Sequence, residues 1–170
     1  MKKTMFTGFI ITIIIIMIIF YLIVNIKQPY VSCNVNHVDD LGIRYNETVR
    51  SQFSSKSISK IEIVRIITVP DKYNNETNIN AINYALKRSY KYLGKDVKFK
   101  TVDNEVIMKI STTKNLPIIL NNMEFYDQDG LGIKIDTNTK SSENANLSIG
   151  DKYSEGEYMV FMKGYEYSCK

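Results

Sequence analysis

The stretch IRYNETVRSQFSSKSISKIEIVRIITV, residues 43–69, decides the fold. In its first arm Ile43, Tyr45, Val49 and Phe53 share one parity, while Arg44, Asn46, Thr48, Arg50 and Gln52 share the other. Alternation with a period of two sends one set to a core and the other to water, so residues 43–53 are expected as a half-buried strand. The polar SSKS at residues 54–57 carries turn chemistry. Residues 58–69 are rich in β-branched side chains, and Pro70 ends the run because it has no N–H to give a ladder. Two long arms joined by a short polar turn read as an antiparallel hairpin.

The rest of the chain falls around this hairpin. Residues 78–94 read as a helix: Ile79, Ile82, Leu86 and Leu93 form one stripe, with Ala85, Ser89 and Tyr90 beside it. Asn78 is the expected N-cap and Gly94 the expected residue past the end. DVKFKTV and EVIMKIS flank Asp103-Asn104 as a second hairpin, with Val97 and Phe99 inward. Residues 116–125 fit a strand or a short helix, residues 131–137 a strand, and residues 138–152 a polar loop. Ser154 and Glu157 match a capping box ahead of a stripe of Tyr158, Phe161 and Met162, with Gly164 to end it. A continuous strand through residues 157–162 is the alternative, and residues 165–169 read as a last strand. The sum is an α+β fold, an antiparallel sheet of five to six strands with two to three helices on one face.

A transmembrane helix is expected ahead of this domain. Residues 4–26, TMFTGFIITIIIIMIIFYLIVNI, carry no ionisable acid or base. Roughly 20 such residues span a bilayer, where only a helix or closed barrel satisfies the backbone. A cleaved signal peptide would have a shorter apolar core, and NIKQPYVSC offers no small-residue cleavage site. A lipoprotein signal would run directly into its cysteine, yet Lys27 and Pro29 intervene before Cys33. The layout read from sequence is therefore a tip and anchor over residues 1–27, a linker over 28–32 and one domain over 33–170. Lys2 and Lys3 favour an inside amino terminus and an outside domain, at the cell membrane.

Composition narrows the partners. The chain has 22 Lys and Arg against 18 Asp and Glu; removing Lys2, Lys3 and Lys27, which flank the apolar run, leaves 19 against 18. A near-neutral domain gives no electrostatic case for nucleic acid. Usage rich in Ile, Asn, Lys and Tyr and devoid of Trp matches an AT-rich genome, so those counts carry little functional weight.

The two cysteines, Cys33 and Cys169, stand at opposite ends of the domain. Outside the cytoplasm such a pair is expected to be oxidised, and pairing the first and last strands would staple the termini. Two cysteines and one histidine, at no zinc spacing, argue against a metal centre, and no cofactor is implied. His37 with Cys33 makes a C-x-x-x-H pattern that lacks an orienting third group, so a plain surface histidine is the better account. Asp127-Gln128-Asp129-Gly130 opens like a calcium loop, but Leu131 and Asn138 stand where ligands are required, and a turn is the simpler reading. Lys87, Arg88, Lys91, Lys95, Lys98 and Lys100 form a local basic cluster that would suit an anionic envelope polymer or lipid headgroups, or would simply be solvated. Tyr153, Tyr158, Tyr165 and Tyr167 crowd the carboxyl end as a binding platform or as packing, with packing favoured. Asn46, Asn75 and Asn146 begin N-glycosylation patterns that matter only in a eukaryotic or viral protein. No phosphate-binding Gly-rich loop, G-x-S-x-G, H-E-x-x-H or redox C-x-x-C occurs.

The succession of an amino-terminal anchor, YVSCNV, two long strands, a helix ending YKYLG, the DVKFKTVDNEVIMKIS hairpin and a closing MKGYEYSCK resembles small extracytoplasmic proteins of low-GC Gram-positive bacteria. It is broadly similar to the YehR-like lipoprotein domains of unknown function. The resemblance spans residues 33–169, implies an α+β fold in the cell envelope, and carries over no catalytic residue. Those lipoproteins place the lipidated cysteine directly after the signal core, and the departure here leaves Cys33 available to pair. The expectation is a single-pass, membrane-anchored, non-catalytic envelope domain with a polymer or protein partner. The alternatives are an extracytoplasmic hydrolase using unmarked carboxylates, and a glycosylated viral or eukaryotic surface protein.

Overall fold

The structure is a computed structural model that describes residues 30–120, 124–127, 133–136 and 146–170. Strand β1 spans Tyr30–Val38, β2 Arg44–Ser54 and β3 Ser57–Thr68. A 3-10 turn at Asp71–Tyr73 leads into helix α1, Glu76–Ser89, and a 3-10 segment over Lys91–Asp96 follows. Strands β4, Val97–Val102, and β5, Glu105–Thr112, make the second hairpin. Four short strands come next: β6 Ile118–Ile119, β7 Glu124–Asp127, β8 Ile133–Asp136 and β9 Asn146–Leu147. Helix α2, Glu155–Lys163, and strand β10, Ser168–Cys169, close the chain.

Six strands form one antiparallel sheet in the order β10-β1-β2-β3-β5-β4. The chain's last strand is thus laid beside its first. Strands β6 and β9, and β7 and β8, make two small separate pairs. The alternation expected from the long hairpin holds along β2 and β3. Their turn places Ser55 and Lys56 both at positive φ, the conformation whose twist matches a two-residue hairpin.

One face of the sheet is buried under both helices. Val35, Val49, Ile63, Ile67, Met108 and Ile110 meet Ile82 and Leu86 of α1 and Tyr158 and Met162 of α2 in one continuous core. Burying a large aliphatic side chain contributes about 1.5–3 kcal/mol, so this layer carries most of the stability. Helix α2 begins with the expected capping box, in which the Ser154 hydroxyl accepts from the Glu157 N–H and the Glu157 carboxylate accepts from the Ser154 N–H.

Several boundaries differ from the sequence expectation. Helix α1 starts earlier, capped by Asn75, whose side chain accepts from the Asn78 N–H. Asn78 is buried, and its amide donates to the Tyr73 carbonyl at 2.9 Å. The helix ends at Tyr90 because that side chain turns into the core, and Gly94 then takes φ 57° inside the 3-10 segment. Of residues 116–125, Ile118–Ile119 and residues 124–125 are strand, residues 116, 117 and 120 are in neither strand nor helix, and residues 121–123 lie outside the described residues. The linker is shorter than expected: Tyr30, Val31 and Ser32 already belong to β1, and Val31 is buried. Among the described residues no helix is long and apolar enough to cross a membrane, and the run at residues 4–26 lies outside them. So do most of the DQDG turn and most of the polar loop.

Candidate functional site: a sealed ion pair, a clasp and an open cationic face

The sheet's inward rows are mostly apolar, and they hold one buried charged pair. Glu47 on β2 lies directly across from Arg65 on β3, and both are inaccessible to solvent, at 0% and 1% exposure. The Arg65 Nε donates to Glu47 Oε2. Tyr45 donates to the same oxygen at 3.0 Å, and Tyr167 donates to Oε1. Arg65 Nη1 donates to the Tyr90 hydroxyl oxygen at 2.8 Å. The guanidinium sits between the Tyr45 and Tyr90 rings, 5.3 Å from each centroid. Two strands, the end of α1 and the segment before β10 therefore meet at one ion pair.

Electrostatics holds this cluster charged at one point and neutral around it. Burial, the largest single influence, would depress the Arg65 pKa, but the Glu47 carboxylate and the Tyr45 and Tyr90 hydroxyls together outweigh it and hold the guanidinium protonated. Burial pushes the Tyr45, Tyr90 and Tyr167 phenols above their ordinary range, and Tyr158, which accepts from Ser51 at 2.8 Å, up to about 12. An acid with a raised folded pKa stabilises the fold below its unfolded value, near pH 10 for tyrosine, and loses that contribution as pH rises through the folded value. Alkaline titration at 295 nm is therefore expected to leave these four of the 12 tyrosines un-ionised until one cooperative step. That step should coincide with loss of the far-UV circular dichroism. Gradual ionisation of all phenols with the far-UV signal intact would contradict a sealed cluster.

The second feature is the clasp. Cys33 and Cys169 are register partners across β1 and β10, and their sulfurs are bonded. Cys33 is fully buried, and the Ser32 and Lys170 backbones exchange two hydrogen bonds beside it. The bonded cysteine is not a nucleophile, and His37 is exposed with its ring 5.2 Å from that of Tyr45. A surface depression beside the clasp, lined by Met159, Lys163, Glu166, Tyr167, Ser168 and Cys169, presents one carboxylate, Glu166. Among the described residues no three metal-ligating side chains gather.

The expected basic cluster is divided by the sheet. Lys87, Arg88, Lys91 and Lys95 are exposed on α1 and the 3-10 segment, on the helix side. Val97 and Phe99 point toward the core, so Lys98 and Lys100 project from the opposite, outer face. There Lys98 lies directly across from Lys109. Arg44 and Arg50 project from the same face on β2. Like charges directly opposite on neighbouring strands are unfavourable unless an anion or solvent separates them.

Other expected residues settle as follows. Tyr158 and Tyr167 are core, and Tyr153 and Tyr165 pack at its edge, so the carboxyl-end tyrosines are mostly packing. Asn46, Asn75 and Asn146 are exposed, though the Asn75 side chain is engaged in the helix cap. Glu47 and Arg65 were not among the expected site residues. Their signal was parity: Glu47 falls with Tyr45 and Val49, and Arg65 with Ile63 and Ile67. No family model, curated protein or solved structure matches this chain.

Proposed function

We propose that the chain is a single-pass, membrane-anchored extracytoplasmic domain without a catalytic site, acting as an envelope-associated binding module. The cross-strand Cys33–Cys169 disulfide carries this reading. Such bonds persist in oxidising compartments, and this one closes the domain a few residues after a 23-residue stretch without acids or bases, residues 4–26. Among the described residues, the disposition of ionisable groups fits a domain without a catalytic site. A general acid or base must reach its substrate. Glu47 is saturated by Arg65 and two phenols and has no solvent access. The depression beside the clasp offers Glu166 without a second carboxylate to share the work of hydrolysis.

Protease added to intact cells is expected to digest the domain, while a tag at the amino terminus survives until the membrane is permeabilised. Full protection of the domain would reverse the orientation and overturn this reading.

A further inference from the structure

We infer that the outer face of the six-stranded sheet is a membrane-surface contact, laid against the anionic headgroups of the bilayer that holds residues 4–26. The inference rests on the anchor proposed above and assigns a task to a face that no other element among the described residues covers. The face is defined by register. Its rows run Asn34–Thr48–Val64–Lys109–Lys98 and Asn36–Asn46–Ile66–Ile107–Lys100. The helices pack on the other side.

Charge on this face is strongly one-sided. Lys60 and Glu62 pair with each other at 2.6 Å. What remains is Arg44, Arg50, Lys98, Lys100 and Lys109, all exposed, against Glu105. The domain as a whole is near neutral, so the excess is a property of the face. A cationic surface near a bilayer is attracted to anionic headgroups within about a Debye length.

The face also carries exposed apolar groups. Tyr30 is 55% exposed, Val38 58% and Val64 36%, and all three project from it. Tyrosine is favoured at membrane interfaces because its ring is amphipathic. The Arg50 guanidinium lies over the Tyr30 ring, 5.8 Å from its centroid. Aromatic, aliphatic and cationic side chains on one sheet face suit a headgroup layer better than plain water.

Tether length selects this side over the helix side. Residues 27–29 reach at most about 11 Å when extended. The chain enters the domain at Tyr30, which is itself on the outer face. The exposed surface of α1, with its own cations, lies behind the sheet by a further helix diameter of about 10–12 Å. The short tether can lay the outer face on the bilayer but not the helices.

The chain has no tryptophan, so a single one reports its own surroundings. The full chain carrying Val64→Trp, and separately Tyr84→Trp on the exposed side of α1, is reconstituted into vesicles with brominated acyl chains. Incorporation is checked first by flotation after an alkaline wash. The Val64→Trp emission is expected to be quenched in phosphatidylglycerol vesicles and much less in phosphatidylcholine vesicles. Quenching should be lost at about 0.5 M salt, where screening confines charges to a few ångströms. It should also be lost when Lys98, Lys100 and Lys109 are all changed to Gln. The Tyr84→Trp emission should stay unquenched throughout. Failure to float would overturn the anchor itself. Flotation with an unquenched Val64→Trp, or equal quenching of both probes, would overturn the surface assignment alone. Release of the quenching by soluble polyphosphate at constant ionic strength would make the occupant a phosphate polymer and also overturn it.

Discussion

Cys169→Ser is expected to lower the unfolding free energy of the domain by about 5 kcal/mol, the largest effect of any single side chain outside the core. The bond spans 136 residues, and in the chain-entropy account a loop of that length removes about 5 kcal/mol of freedom from the unfolded chain. Ordinary domains have only about 5–15 kcal/mol in total, so the variant should sit near its unfolding midpoint at physiological temperature. There is a local consequence as well. Strand β10 is two residues long and lies at the sheet edge. Without the bond it frays, and Tyr167, two residues earlier, loses its hold on Glu47. Urea titration of oxidised and reduced protein checks the magnitude. On a non-reducing gel the parent should migrate faster than its reduced form, and Cys169→Ser should abolish the difference. A loss under about 1 kcal/mol would show that the clasp follows folding rather than enabling it.

The second large effect concerns the sealed ion pair. Arg65→Met is expected to cost about 3–5 kcal/mol, because it leaves the Glu47 carboxylate buried without its counter-charge. Desolvating a lone carboxylate is far more unfavourable than desolvating a satisfied pair. Adding Glu47→Gln removes that charge, keeps an oxygen acceptor for one of the two phenols, Tyr45 or Tyr167, and offers the other an N–H donor. The double variant should therefore be more stable than the sum of the two single changes implies, with a coupling of about 1–3 kcal/mol. A double-mutant cycle in urea measures this directly. Additive single effects, each below about 1 kcal/mol, would mean that the pair contributes neither stability nor specificity. The pair joins strands, helix and carboxyl-terminal segment at one point, which suits it to selecting one register over slipped alternatives.

How much of this was legible in the amino-acid order depends on the range of the interaction. The long hairpin was readable because period-two alternation is local: Tyr45, Val49 and Phe53 announce a buried face by spacing alone. The capping box at Ser154 and Glu157 was readable for the same reason, since both partners lie within one turn. The start of α1 was not. Asn75 and Asn78 are equally good caps on local grounds, and the choice falls to Asn75 because the Tyr73 carbonyl draws the Asn78 amide into the interior.

The site followed the same division. Six basic residues close in sequence read as one patch, yet a strand sends alternate side chains to opposite faces. Lys98 and Lys100 thus part from the helix cations and join Lys109, Arg44 and Arg50. Parity marked Glu47 and Arg65 as inward, but only the β2–β3 register, set by the two-residue turn and the irregularity at Gln52 and Phe53, made them partners.

By itself, the sequence determined the α+β class, the antiparallel hairpins, the helix-starting cap at Ser154 and the presence of two cysteines at the domain's ends. Each depends on periodicity or on contacts between residues a few positions apart. The tertiary structure decided that Cys33 faces Cys169, that Glu47 faces Arg65, and that Lys98 and Lys100 join Arg44, Arg50 and Lys109 on the outer face of the sheet. Those outcomes depend on strand register and order, which bring together residues as many as 136 positions apart and have no local signature.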